Sequence, residues 1–251
     1  MDSRSGEPME APDRMDVLAV GANPDDVEHG GVGTLANLPR GGRRVGILHL
    51  TCGQVGTRGT VPERRVEAEH AAQTLGARSV EFLDFGDGAL RTGLPEEEAL
   101  IAVLRRLRAE LVLGPGPSDR HPDHGRAHRL LHAACFYAGL SRRGEGEPHR
   151  PAAVFSYMHH DPFEPHFVVD VSTTWEAKIQ ALNAYQSQLH QPGSSREEPA
   201  TKVASPEFRR AIEGRARHFG LMIGAAYGEP FWSPLPLAVA DPWSLLPRGI
   251  R

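Results

Sequence analysis

Val17-Leu18-Ala19-Val20, followed at once by Gly21-Ala22-Asn23-Pro24-Asp25-Asp26, is a short apolar run that ends in a turn. A run of this kind, partly β-branched and closed by Gly, Pro or Asp, reads as a buried parallel strand. The pattern recurs at residues 45–50, 80–85 and 111–113. Between these runs the periodicity changes. Ala68, Ala71, Ala72 and Leu75 fall at i, i+3, i+4 and i+7, and so do Leu100, Val103, Leu104 and Leu107. Ala127, Leu130, Leu131 and Ala134 do the same, so each set forms one apolar helix face. Strands alternating with helices predict an α/β fold, a mainly parallel Rossmann-like sheet between two helical layers.

Further along, residues 152–158 and 167–171 read as strands, 175–189 and 206–223 as helices, and 191–206 as a mobile loop rich in Pro and Ser. Residues 1–14 are polar and aperiodic, a disordered lead. Residues 15–251 then form one domain, and five prolines from Glu229 onward mark a C-terminal extension, an extended surface arm over about 229–251. The net charge of −4, with no basic run, argues against nucleic acid or an anionic membrane as partner. No apolar stretch approaches the roughly 20 residues that span a bilayer, and residues 1–14 lack the apolar core of a signal peptide. Cys52 and Cys135 read as two free thiols, so the expected location is the cytoplasm.

In open α/β sheets ligands bind at the carboxyl ends of the strands, and two segments there carry unusual chemistry. Asn23-Pro24-Asp25-Asp26 puts two carboxylates on one turn, where like charges repel unless a cation or a helix start relieves them. Two readings therefore stand: a metal turn, or an Asx-type turn that caps a helix. Asp119-Arg120-His121-Pro122-Asp123-His124 follows the fourth strand, with two imidazoles at i and i+3. That spacing suits a metal ligand with an orienting partner, or a solvated loop in which Asp123 caps the next helix.

Together the segments resemble the signature pair of the LmbE-like (PIG-L) zinc-dependent N-deacetylases, His-Pro-Asp-Asp and His-Pro-Asp-His. Gly53-Gln-Val-Gly-Thr-Arg-Gly-Thr60 with Arg64 and Glu67, and Phe85-Gly-Asp-Gly88, are similar to further loops of that family. Val169-Asp-Val-Ser172, Ala184-Tyr-Gln-Ser-Gln188 and Tyr227-Gly-Glu-Pro-Phe231 are similar to motifs of its bacillithiol-pathway subgroup. The resemblance implies hydrolysis of the N-acetyl group of an N-acetylglucosamine-type glycoside, N-acetylglucosaminyl malate in that subgroup. It implies that Asp26 and His124 bind zinc, with Asn23 at the position of the first ligand. Asp25 would be the general base toward water, and His121, oriented by Asp123, would serve the oxyanion or the leaving amine. Arg64, Gln54, Arg58 and Tyr157 are the implied substrate contacts. A homo-oligomer, a hexamer, is implied as well.

Asn23 is the chief departure, because the family has His there and a neutral amide oxygen is a weak zinc donor. A zinc enzyme, an enzyme of another divalent metal and a silent sugar-binding relative all fit a changed ligand. His49 and Gln54 stand where the subgroup carries acidic residues, and Cys52 and Gly31-Val32-Gly33 also depart from its pattern. His49, at the end of the second strand, is a candidate replacement ligand or a packed histidine; His29 is a weaker one. His159 and His160, with Asp161 and His166, read as a polar loop with one or two substrate contacts, or a metal contact. Gly31-Val-Gly-Thr-Leu-Ala36 fits G-x-G-x-x-A formally, but it begins too far past the strand for a dinucleotide loop. His128 and His132 read as a solvated pair on a helix, and Trp175, Trp232 and Trp243 as packing residues.

Overall fold

The computed structural model describes residues 14–189 and 199–245. Almost all of the polar lead, residues 190–198 of the predicted loop and residues 246–251 of the predicted arm lie outside them. Strands β1 (Val17–Gly21), β2 (Val45–His49), β3 (Ser79–Phe82), β4 (Leu111–Pro115), β5 (Ala153–Tyr157), β6 (Phe167–Asp170) and β7 (Gly228–Trp232) form one sheet in the order β3-β2-β1-β4-β5-β7-β6. The first five pair in parallel, and β7 is antiparallel to both β5 and β6. The helices are α1 (Asp26–Gly30), α2 (Val32–Arg40), α3 (Val61–Leu75), α4 (Leu94–Leu107), α5 (Pro122–Ala138), α6 (Trp175–Ala184) and α7 (Pro206–Ile223).

β1 shows why the sheet is covered on both faces. Val17 and Ala19 join a core of Ile47, Ala68, Ala71, Leu75 and Leu113. Leu18 and Val20 point the other way, among Leu48, Leu100, Leu104 and Leu130. All five β1 residues are buried, as a period of two between two helical layers requires. Burying one such Leu stabilises the fold by about 1.5–3 kcal/mol. Local chemistry sets the helix starts: Thr60 and Glu63 form a capping box before α3, and Ser205 caps α7.

The predicted arm needs correction at its start. Residues 228–232 are the interior strand β7, with Glu229 and Phe231 2% or less exposed. Tertiary bonds hold it there despite its proline. The Glu229 carboxylate accepts from the Gly33 and Thr34 amides near the start of α2 and pairs with the Lys178 ammonium at 2.6 Å. Pro230 lies beyond the β5 pairing, which covers only Phe231 and Trp232, so it has a ladder neighbour on the β6 side alone, as at a sheet edge. The helix expected after the Asn23–Asp26 turn is two short ones, α1 and α2, which meet at Gly31. Gly30 shows what the glycines there do: a Cβ on it would come within 2.0 Å of the Tyr157 ring. Gly33, in the stretch that formally fits a dinucleotide loop, is close-packed too, since a Cβ there would lie 3.0 Å from Glu229 Oε1 and from Val171 Cβ.

Candidate active site

Loops from β1, β2, β4 and β5 meet at the carboxyl end of the sheet. Directly after β1 the chain folds back sharply, and a Cβ on Gly21 would lie 2.9 Å from the Asn23 carbonyl oxygen. Asp25 then adopts φ 93°, a left-handed conformation that costs a non-glycine residue on the order of 1–3 kcal/mol. Although it stands at the N-cap of α1, its side chain makes no capping bond. The helix-capping reading of the two carboxylates is thereby excluded for Asp25. Its carboxylate lines a cleft of about 250 Å³, where Arg64 Nη2 reaches its Oδ1 at 3.3 Å. The same guanidinium donates to the carbonyls of Pro24 (2.6 Å) and Gly53 (3.3 Å), tying α3 to the turn.

Asp26 points into the same cleft. Its Oδ2 accepts from the Asn23 amide at 2.8 Å, while Oδ1 lies 3.2 Å from His124 Nε2 and 3.4 Å from His159 Nε2. On the opposite side of His124, Nδ1 is 3.0 Å from Asp119 Oδ1. Asp119 also accepts from the amides of His121, His160 and Asp161, joining the β4 and β5 loops. His121 stacks on His124 with ring centres 4.9 Å apart, and its Nδ1 accepts from the Asp123 amide. From α7, Arg215 donates to the carbonyls of His159 and His29, fixing the β5 loop against α1.

The electrostatics divide the two aspartates. Burial pushes the Asp25 carboxyl up to about 7, against the pull of Arg64 and with the Asp26 charge adding to it. Burial also penalises ionised Asp26, but the neighbouring His124 outweighs it and holds that carboxyl down to about 2. His124, despite its own burial, is raised to about 10 by Asp26 and Asp119. Two carboxylates, Asp26 and Asp119, thus hold a proton on His124, and a metal bound at Nε2 would take that proton's place. Desolvation holds His159 well below the ordinary histidine value and His29 at about 3, so both offer neutral lone pairs.

Asn23, Asp25, Asp26, Arg64, His121 and His124 line one cleft. Other residues land elsewhere. Asp123 is fully buried, and its Oδ1 accepts from the Leu90 amide and Arg126. Its link to His121 is through the backbone, not through the carboxylate. Gln54 donates to Asp84 and Arg58 to the Ser187 carbonyl, so both brace the 53–60 loop. Tyr157 is a clear correction: it is fully buried in the core, its hydroxyl donating to the Val20 carbonyl at 2.9 Å, and it cannot touch a substrate. His49 is also fully buried, its Nδ1 3.2 Å from the Asn23 carbonyl and its ring against Phe82. The Asn23 side chain accepts from the Thr51 hydroxyl at 2.6 Å.

Asp26, His124 and His159, all buried, place donor atoms within 4.8 Å of one another. Two imidazoles and one carboxylate are the donor types of a catalytic zinc site. His159 was underrated in the sequence because nothing local in His159-His160 separates a ligand from a polar loop. A larger groove of about 550 Å³ between α5 and residues 233–238 is mainly apolar and brings together no comparable set of donors.

Residues 18–135 match the family model described as GlcNAc-PI de-N-acetylase, PIG-L. Over 245 residues, 91% of this chain and 86% of the relative, the sequence is 32% identical to diacetylchitobiose deacetylase of Thermococcus kodakarensis. The chain belongs to the PIG-L (LmbE-like) family. Its PIG-L fold superimposes on the crystal structure of a conserved protein from Thermus thermophilus with a TM-score of 0.83. That pair shares 38% identity over 91% of this chain and 98% of the other. A Pseudomonas putida relative, 4-oxalmesaconate hydratase, is 33% identical over 51% of each chain. PIG-L membership thus accounts for the fold, while a relative of different reaction type shares part of the sequence.

Proposed function

We propose that this chain is a metal-dependent N-deacetylase that releases acetate from an N-acetylglucosamine-type sugar. The observation that carries the reading is the division of labour between adjacent carboxylates. Asp25, held by Arg64 Nη2 at 3.3 Å, faces the cleft with its carboxyl raised by burial, and Asp26 Oδ1 lies 3.2 Å from His124 Nε2. A general base works best when its pKa lies near the working pH, and an anionic Asp beside an imidazole suits a divalent cation.

Asp26 and His124 would hold the metal, zinc being the ion that best fits this mixed N/O set. When bound, it supplies a Lewis acid that polarises an amide carbonyl and acidifies water. Asp25 takes the proton of the attacking water at its Oδ atoms, positioned by Arg64 Nη2. His121, at the cleft wall and stacked on His124, is placed to hand a proton to the departing amine. Asp119 Oδ1 lies 3.0 Å from His124 Nδ1 and steadies the ring by charge, with Nε2 toward Asp26.

N-acetylglucosaminyl malate is the substrate to which the subgroup motifs point, and the relative from Thermococcus kodakarensis suggests diacetylchitobiose as its competitor. The deciding assay incubates the zinc-loaded protein with each and measures acetate and free amine. Turnover of either establishes the deacetylase, and the ratio selects the substrate. Sugar binding with no acetate from any N-acetylglucosaminide would favour the rival reading, a silent binding protein. The departure at Asn23 motivates that rival, its side chain being engaged by Thr51.

A further inference from the structure

We propose that the metal triad of this chain is Asp26, His124 and His159, so that the ligand missing at Asn23 is replaced from a different loop. The inference rests on the metal-dependent reading above and concerns which side chains complete the site.

Geometry is the first support. Two ligands about 2.0–2.1 Å from a tetrahedral zinc ion lie about 3.3–3.4 Å from each other. The distances from Asp26 Oδ1 to His124 Nε2 and to His159 Nε2 are 3.2 and 3.4 Å. Both imidazoles therefore already stand at ligand spacing from the shared carboxylate. The ring centres of His124 and His159 are 4.6 Å apart at 73°, edge to face, which lets two nitrogens converge without the rings colliding.

Burial is the second support. The side chain of His159 is 3% exposed, and its Nδ1 meets no hydrogen-bond partner. His29 Nε2 is likewise without one, while its Nδ1 touches His159 Nε2 at 3.1 Å. Buried nitrogens ordinarily find partners. Two imidazoles converging on one carboxylate, with a third ring packed against one of them, suit a site completed by a cation between Asp26 and the two Nε2 atoms. The backbone is fixed for this role, because Arg215 holds the His159 carbonyl and Asp119 the next two amides.

The competing donors are spent elsewhere. Asn23 gives its amide to Asp26 and its Oδ1 to Thr51, and a neutral amide oxygen binds zinc weakly. His49, the gained histidine nearest the turn, contacts the Asn23 carbonyl and Phe82, and among the described residues it joins no group of convergent metal donors.

The test is zinc stoichiometry by elemental analysis and zinc Kd by chelator competition, on the full chain and on His159→Ala, His159→Gln, Asn23→Ala and His49→Ala. Circular dichroism confirms that each variant folds. We expect about one zinc per native chain, retained in Asn23→Ala and His49→Ala. Both His159 variants should weaken binding by more than the ~10–100-fold that losing an outer partner costs. Cobalt(II) substitution gives a second readout, with the visible ligand-field spectrum changing in His159→Gln and unchanged in Asn23→Ala. Native zinc affinity in folded His159 variants overturns the triad and leaves the metal reading intact. A native chain that takes up no zinc overturns both.

Discussion

Arg64 Nη2 lies 3.3 Å from Asp25 Oδ1, and both side chains are nearly closed off from solvent. An ion pair so placed does more than balance charge, because the same guanidinium holds the carbonyl of the residue before Asp25. Asp25 sits in a left-handed conformation that it would leave if unsupported.

Removing either partner should therefore hurt turnover more than metal binding. Asp25→Asn is expected to lower kcat by about 10²–10⁴-fold, the range for a lost general base, with zinc content unchanged. Arg64→Met should lower kcat in the same direction. Acetate release alongside elemental analysis of each variant checks both.

Asp119 lies 3.0 Å from His124 Nδ1 and accepts from two amides of the β5 loop, so it faces one proposed metal ligand and positions the loop that carries His159. Asp119→Asn should weaken zinc binding by roughly 10–100-fold. Chelator competition measures it, and an unchanged Kd would show that the ring needs no such partner.

Tyr157 tests a different point. Its hydroxyl bonds the Val20 carbonyl inside the core, so Tyr157→Phe should lower stability by about 1–3 kcal/mol through the orphaned acceptor. KM should stay the same. A raised KM with unchanged Tm would restore it as a substrate contact.

His132 supplies a pH test away from the cleft. Burial, with His128 beside it, pushes its imidazole down to about 4 from the ordinary 6.5. The unfolded chain therefore binds a proton that the folded one refuses between those values. Stability from neutral His132 is full above about pH 6.5 and is lost as pH falls toward 4. His132→Gln should shrink the drop in Tm between pH 7 and pH 5 relative to the native chain. An identical drop would mean that the ring gains its proton without cost.

Legibility of the sequence followed the range of the interactions. β1, β2 and β4 are buried on both faces and show as short apolar runs, interrupted in β2 only by His49, while α3, α4 and α5 bury one face and show a 3.6-residue period. Asp25, Asp26, His121 and His124 were visible because each pair is local in sequence. β7 was not, since Gly-Glu-Pro-Phe-Trp has no alternation and is held by Glu229 reaching α2 and Lys178. His159 was hidden for the same reason: its partners His29 and Asp26 lie at the other end of the fold in sequence, and only the sheet order brings them together.

The position of β7 also sets an order of events during synthesis. Among the described residues it is the last strand in sequence, yet it lies between β5 and β6, and β6 pairs with it. Until Gly228–Trp232 emerges, the nascent chain can assemble its parallel half but leaves β5 as an open edge and β6 without a neighbour. An unpaired edge is a template for joining another chain. The Glu229–Lys178 pair, formed only when β7 inserts, thus acts as the latch that closes folding, and a chain stalled before it would be the species most prone to aggregate.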